Sequence, residues 1–470
     1  MGRTTNPNVM NPSAPTPPGS WRTAVRGVRR ILAPVERFLA IEAASGIVLM
    51  LAATAALVWA NSPWRDAYEH LWHTPVGLRF GDFSFVRELH FVINEGLMTV
   101  FFFLVGLEIR REIHGGELSE ARRAALPLAA AVGGMLAPAV IFLALNAGRS
   151  SQSGWAIPMA TDIAFAVGAL TLLGKRVAPA LRVLLLALAV IDDVGAILVI
   201  AVFYSSEVAW AGFVALLIGL LAIRVMNVFG VRASLAYMVP GLLVWAGAYW
   251  GGIHPTLAGV IVGMMTPVVA WYGAETFMSE TEEQVRSLRS DEGASSHELL
   301  RRIDTVQTAG REAVSPVERL QHQLHGWVAF GIMPLFAFAN AGVPIGQVSF
   351  AGDALWVFIG VVCGLALGKP IGILALSWLA ARLNLATLPR GVKWPHVGVV
   401  GMVGGIGFTM ALFIAELAFP PGELLDTAKL AILCGSALAA GFALVAGRWT
   451  LSVGAGAART DVEAECSTQE

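Results

Sequence analysis

Cysteine is scarce, with three in 470 residues, at Cys363, Cys434 and Cys466. Spread so far apart, they supply neither a metal-ligand spacing nor a disulfide framework. Charge is scarce as well: 14% of residues are charged, where a soluble globular chain carries about 25%. That excludes an ordinary water-soluble domain. Neither sign dominates, since the net charge is −1 and the isoelectric point lies near 6.8. The bulk charge names no partner, and no nucleic acid is expected. Neither an HExxH nor a GxSxG motif occurs, so the usual zinc-protease and serine-hydrolase chemistries lack their residues. The N-terminal stretch is polar and Pro-rich, without an apolar core ahead of a small-residue cleavage site, and no cleavable signal peptide is expected.

Apolar residues are what the chain has in excess, at 56% with a mean hydropathy of +0.67. These values predict an all-α polytopic membrane protein of one large domain. Twelve transmembrane helices are expected, near 40–61, 88–109 and 124–146, two within 155–204, then 208–225, 234–251, 253–271, 325–343, 354–380, 397–418 and 427–447. The chain accordingly divides into a Pro-rich, basic cytoplasmic tail at 1–39, eight spans within 40–271, a long cytoplasmic loop at 272–321, four spans within 322–449 and a cytoplasmic tail at 450–470. Arg22, Arg26, Arg29, Arg30 and Arg37 flank the first span, and basic residues crowd the turns at 110–123, 174–182, 224–232 and 382–393. Both ends therefore belong in the cytoplasm. Between the first two spans LRFGDFSF, residues 78–85, alternates apolar and polar residues around Gly81-Asp82, the pattern of an extracytoplasmic β-hairpin. The loop at 272–321 mixes acidic and basic residues and reads as partly helical and partly disordered.

The stretch Trp155 to Tyr204 holds the chemistry. Its first apolar segment carries Asp162 beside Thr161, a turn after Pro158; its second carries Asp192 and Asp193 side by side. Each ionised carboxylate at mid-membrane depth costs roughly 2.5–3.5 kcal/mol, so three approach the net stability of a domain, about 5–15 kcal/mol. A neutral Asp hydrogen-bonded across a helix interface is the bland reading. Three of them in two consecutive segments, one beside a Thr, point instead to a bound proton or cation. Neighbours on a helix point about 100° apart, so Asp192 and Asp193 cannot face one small site alike. Lys369, in LALGKPIGI, is the basic residue inside an apolar span of the second half, and Asp192 or Asp193 is its economical partner; snorkelling to an interface is the alternative. Clustered carboxylates can be neutralised either by protons or by a small hard cation with oxygen ligands, and the two compete. That competition is already a mechanism of exchange.

Symmetry singles out the same place. The span with Pro158-Thr161-Asp162 and the span with GMVGGIGFTM, residues 401–410, are each the middle of a three-span set, and the sets enter the membrane from opposite sides. Gly404, Gly405 and Gly407 mark the second break. Close helix packing is the competing account of those glycines, and it covers Gly401 better than the cluster. A second charged group, Glu108, Arg111 and Glu112 with His322 and His325, reads either as a pH sensor or as ordinary interfacial charge. Glu95 stands even between function and structure, His254 reads as an interface residue, and Glu416 as a side chain reaching water.

Three functions fit such residues: a cation/proton antiporter, a channel or sodium-coupled solute symporter on a similar inverted-repeat plan, and an intramembrane enzyme. The enzyme would use an aspartyl dyad of Asp162 and Asp192, or prenyl transfer at the Asp192-Asp193 pair with magnesium. The enzyme reading lacks a second acidic motif and leaves Lys369 and the GGIG break unexplained. The symporter lacks polar side chains for a roomy pocket.

The motifs ATDIAFA, LAVIDDVGAI, GKPIGI, GGIGFTM, FFFLVGLEIRRE and PLFAFANAG together resemble the NhaA family of bacterial sodium/proton antiporters, from about Ala43 to Trp449. That family is itself a known example of the rule that paired broken spans in inverted halves mark a midplane ion site. The resemblance implies twelve helices with two crossed, discontinuous ones. It implies cation and proton binding at Asp193 and Asp192, with Asp162 and Thr161 at the helix break and Lys369 as partner of Asp192. It implies that the Asp and Lys balance the facing half-helix ends, and that the 78–85 hairpin is the contact of a homodimer in the bacterial inner membrane. Sodium or lithium leaves the cell and more protons than cations enter, under pH control by Glu108, Glu112, His322 and His325, with no cofactor beyond the transported ions. The chain departs from the family at Gln321, where members with a developed pH sensor carry Glu, at Glu95 in place of Asp, in its long 272–320 loop and in its N-terminal tail.

Overall fold

A computed structural model describes residues 44–81, 83–205, 209–231, 234–270, 273–290, 295–348 and 350–451. The expected tail at 1–39, its arginines, and nearly all of the tail at 450–470 lie outside these residues.

The described chain is helical apart from one hairpin. In order come α1 (Ala44–Ala60), α2 (Arg65–Trp72), strands β1 (Pro75–Phe80) and β2 (Phe83–Glu88), α3 (Leu89–Gly115), α4 (Ala121–Asn146), the 3-10 helix α5 (Ser150–Met159), α6 (Ile163–Leu172), α7 (Pro179–Phe203), α8 (Trp210–Val228), α9 (Leu235–Trp250) and α10 (Pro255–Met264). Then follow α11 (Ala274–Ser290), α12 (Ser296–Glu312), α13 (continuous from Pro316 to Asn340), α14 (Gly352–Arg382), α15 (Trp394–Gly404), α16 (Phe408–Ala418) and α17 (Glu423–Thr450). Six of these are long and apolar enough to cross a membrane, or nine if each bent pair counts as one span. The chain is an integral membrane protein.

Length and apolar character make these segments helices, because lipid offers no partner to a free N–H or C=O and a helix satisfies its own. Their outward faces stay apolar: Trp210, Leu221 and Val228 of α8 are all well exposed. The core gathers α3, α4, α7 and α13 to α17 around Phe102, Phe142, Phe336 and Phe413. Small residues let the helices approach. A Cβ on Gly133 of α4 would stand 2.0 Å from the carbonyl oxygen of Gly372 on α14.

Several elements differ from expectation. The hairpin runs from Pro75 paired with Glu88 to Phe80 paired with Phe83, longer than 78–85. The amphipathic α2 precedes it, with Tyr68 and Trp72 packed on Phe338. The expected span at 253–271 shrinks to α10, ten residues long, because Pro255 opens it and Pro267 follows its end. The 272–321 loop contains α11, α12 and the first turn of α13. Ser295 and Ser315 cap the latter two by accepting from the N–H groups of Glu298 and Glu318. His322 and His325 lie inside α13.

Two bent pairs shape the centre. The α5/α6 pair and the α15/α16 pair each bend by 49°. Each is flanked by two long helices, α4 and α7 in one set, α14 and α17 in the other.

Candidate functional site

Where α5 and α6 part, residues 160–162 leave the helix, with Ala160 and Asp162 extended. Asp162 begins α6 as its N-cap, its Oδ1 accepting from Phe165 N at 2.9 Å. Its other oxygen accepts from Thr409 N at 3.1 Å and from the Thr409 hydroxyl. Thr409 stands in the first turn of α16. Two helix N-termini thus converge on one carboxylate. Each carries about half a positive charge, so the pair matches the aspartate's single negative one.

The C-terminal end of α15, where the second break begins, is met in turn. Asp162 N donates to Ile406 O at 2.7 Å, and Thr161 Oγ1 lies 2.9 Å from Gly404 O. The same hydroxyl lies 2.5 Å from Asp192 Oδ2. Its one proton can serve either acceptor while it accepts from Lys369 Nζ. Lys369 also reaches Asp192 Oδ2 at 2.5 Å, so an ammonium, a hydroxyl and a carboxylate form a closed triangle between α14, the first break and α7.

Asp193 is different. It is 1% exposed, yet neither of its oxygens has a hydrogen-bond partner, and Asp192 Oδ1 is unpartnered too. Asp193 is within electrostatic range of Asp192, Glu108, Lys369 and Asp162. Thr161, Asp162, Asp192, Lys369 and Thr409 are each at most 1% exposed. Unpaired carboxylate oxygens in so dry a place are costly, and this site offers three of them to a cation or a proton. Among the described residues no three His, Cys, Asp or Glu side chains gather as they would around a resident metal.

The glycines act through shape. None of Gly404, Gly405 and Gly407 has a positive φ. A Cβ on Gly405 would lie 2.4 Å from Leu365 O, and one on Gly407 2.9 Å from Leu365 Cδ2. Close packing therefore accounts for Gly405 and Gly407 as well as for Gly401, whereas a Cβ on Gly404 would meet Ile373 Cδ1 at 3.2 Å. The packed partner is itself irregular: Gly364–Gly368 is a π turn that delivers Lys369, and such turns recur at functional sites.

At one end of the bundle a cavity of about 840 Å³ is lined by Glu108, Arg111, Gln321, His322 and His325. Arg111 donates to Gln321 Oε1 at 3.1 Å, and both side chains line the cavity beside Glu108. Glu112 does not line this cavity. It accepts from Arg111 at 3.3 Å and from Glu117 N at 3.1 Å. Glu95 Oε1 lies 4.0 Å from His254 Nδ1. Glu416 does not reach water as expected: it is largely buried, 2.5 Å from Lys429 Nζ, because α17 packs a cation beside the end of α16.

Thr409 went unnoticed in the sequence. Its signal was there, in GGIGFTM, as a hydroxyl just past the second break where Thr161 stands at the first.

A family model described as Na+/H+ antiporter 1 matches residues 36–446. The chain is similar to the Na+/H+ antiporter NhaA 2 of Myxococcus xanthus, 55% identical over 456 residues that cover 96% of this chain and 97% of that protein. It is similar to the NhaA 2 antiporter of Sorangium cellulosum, 54% identical over 96% of this chain and 98% of the relative. The NhaA 2 antiporter of Pseudomonas putida is 48% identical over 92% and 96%.

Proposed function

The chain belongs to the NhaA-type Na+/H+ antiporter family, and from that premise we propose how its site performs the exchange. Asp193 and Asp192 bind the alkali cation and the protons in turn. Support comes from one observation above the rest: three buried oxygens of these two carboxylates have no partner in the protein. A bare sodium or lithium ion, which takes oxygen ligands, or protons on the same oxygens, would each remove that cost. The two cannot do so at once. Lys369 and Thr161 hold Asp192 Oδ2, which leaves Oδ1 and Asp193 for the exchanging ions. Asp162 and Thr409 join the breaks and stabilise the half-helix ends around them.

The chain is a transporter of sodium and protons, and we place it in the bacterial inner membrane with both termini cytoplasmic. Twelve spans are supported by counting the six long helices, the three bent pairs, α9 and α10, and α13. The three-element sets, each with a 49° middle bend, support two inverted repeats whose discontinuous helices cross. The β1–β2 hairpin serves a homodimer. Two protons per cation would move one net charge per cycle, worth about 2.3 kcal/mol per 100 mV. Glu108, His322 and His325, with Glu112 tethered beside them through Arg111, set the pH response from the cavity. The helical segment within 272–321 is a cytoplasmic appendage of this domain. An aspartyl-enzyme reading fits less well, because both oxygens of Asp162 are already committed to α6 and α16. A symporter would carry a solute, and the site is enclosed by close glycine contacts.

The test is sodium addition to vesicles holding a preset pH gradient. The wild-type chain should dissipate the gradient, and Asp193→Asn should abolish the response while still inserting. Exchange at the wild-type rate in Asp193→Asn would refute the assignment.

A further inference from the structure

The outer end of α16 carries a charged group that the exchange just described does not use. Along α16, Thr409, Phe413 and Glu416 follow at i, i+4 and i+7, so they share one face. Seven residues place Glu416 about 10 Å along the axis from Thr409, the residue that bonds Asp162. Between them Phe413 is buried against Phe102 and Phe336, with ring centroids 5.2 and 6.3 Å away. Beyond this aromatic plug, Glu416 Oε1 lies 2.5 Å from Lys429 Nζ of α17, with side chains 14% and 12% exposed. His90 Nε2 of α3 is 3.9 Å from the same oxygen. His90 meets Asn340 Oδ1 of α13 at 3.0 Å and Asn94 Nδ2 at 3.3 Å, and Asn340 Nδ2 donates to Asn94 Oδ1 at 2.9 Å. The cluster therefore ties α16 to α17 and faces it with α3 and α13. His90 and Glu108 stand eighteen residues apart on α3, about 27 Å, so this group and the cavity lie at opposite ends of the bundle.

We propose that Glu416 is a positioning residue of the exchange: with Lys429 it latches the outer end of α16 in the conformation seen here, and the latch must release when the site turns to the other face. The inference rests on the antiport reading. Neither residue touches Asp162, Asp192 or Asp193; Glu416 acts through Thr409, two turns away on the same short helix. A partly buried ion pair suits a latch. It adds little while both members are present, but parting them without water is costly, so it resists small displacements and yields to one that hydrates both.

A contact made in one of two states biases the equilibrium between them, and affinity measured from each side follows the population of the state open to that side. Breaking the latch should depopulate the conformation seen here. The apparent KM for sodium offered on one side should rise, and that on the other side should fall, each by at least about fivefold.

The experiment measures sodium-driven proton flux in proteoliposomes of the full chain, with sodium supplied from each side in turn, and the melting temperature of the same preparations. Glu416→Gln and Lys429→Met should move the two KM values in opposite directions, and the charge-reversed Glu416→Lys/Lys429→Glu pair should restore their wild-type ratio. A merely structural pair would lower the rate or the melting temperature while the KM ratio stayed put, and that result overturns the proposal. Should the single variants fail to fold, the reversed pair decides alone: a wild-type ratio is expected, and a displaced one overturns the latch. Failure of the wild-type chain to show sodium-driven proton flux would instead sink the antiport reading on which the latch depends.

Discussion

The two helix breaks bend by the same 49° but contribute different chemistry. The first, at 160–162, brings a carboxylate and a hydroxyl, Asp162 and Thr161. The second, at Gly405 to Gly407, brings backbone: the carbonyls of Gly404 and Ile406, the N–H of Thr409, and glycines thin enough for Leu365 to press close. One break supplies charge and the other a mould for it. Damage to the charged break should therefore strike transport and stability together, while damage to the mould should scale with how much room the intruding atom finds.

The sharpest way to test that contrast is to strip the charge beside the first break. Lys369→Ala leaves the Asp192 carboxylate buried without its counter-ion, and breaking a buried pair costs about 3–5 kcal/mol. The melting temperature of the purified protein should fall by the largest margin of any variant considered, and sodium-driven proton flux should be lost. An unchanged melting temperature would mean that the triangle of Lys369, Thr161 and Asp192 carries no weight.

The mould can be struck next. Gly405→Ala puts a methyl 2.4 Å from the carbonyl oxygen of Leu365, which is backbone and cannot swing aside. Overpacking of this kind costs about 1–3 kcal/mol. It should also disturb the π turn that delivers Lys369, so flux should drop with stability. If Gly405→Ala transports normally, the close approach of α15 and α14 is not what holds the break.

How much of this could be read beforehand follows from the same contrast. Charges inside apolar runs are rare enough to declare themselves, which is why Asp162, Asp192, Asp193 and Lys369 were legible, and the apolar runs themselves gave most span positions. A threonine in an apolar helix declares little, because it can bond its own backbone; Thr409 stands out only by its place just past the second break, matching Thr161 at the first. Spacing alone leaves open which member of the Asp192-Asp193 pair meets Lys369, since a 100° step fixes their difference but not their orientation; only the family resemblance singles out Asp192. The Glu416–Lys429 pair joins two helices in space, and nothing in either segment points to the other. The shortness of α10 follows from Pro267, a single residue among apolar ones that by themselves match a span.

Thr409 is the link between the breaks, so its loss should have an intermediate effect. Thr409→Val keeps the shape and the backbone N–H but removes the hydroxyl that reaches Asp162. Side-chain hydrogen bonds within membranes contribute about 0.6 kcal/mol on average and up to about 1.7. Flux should fall several-fold without vanishing, and Thr409→Ser should restore it. Restoration by Ser would show that the hydroxyl matters; wild-type flux in Thr409→Val would show that the backbone N–H alone suffices.

The smallest effect should come from the glycine next door to the most sensitive one. A Cβ at Gly404 meets Ile373 Cδ1 at 3.2 Å, the far end of a flexible side chain that needs to give by only a few tenths of an ångström. Gly404→Ala should cost less than about 1 kcal/mol, partly offset because alanine favours the last turn of α15. The Gly404 carbonyl, which takes the Thr161 hydroxyl, is untouched by the change. Near-wild-type melting temperature and flux in Gly404→Ala, beside clear losses in Gly405→Ala, would assign the second break's role to shape at one position. Equal losses in both would mean that backbone flexibility across the whole Gly404 to Gly407 run is what the transport cycle uses.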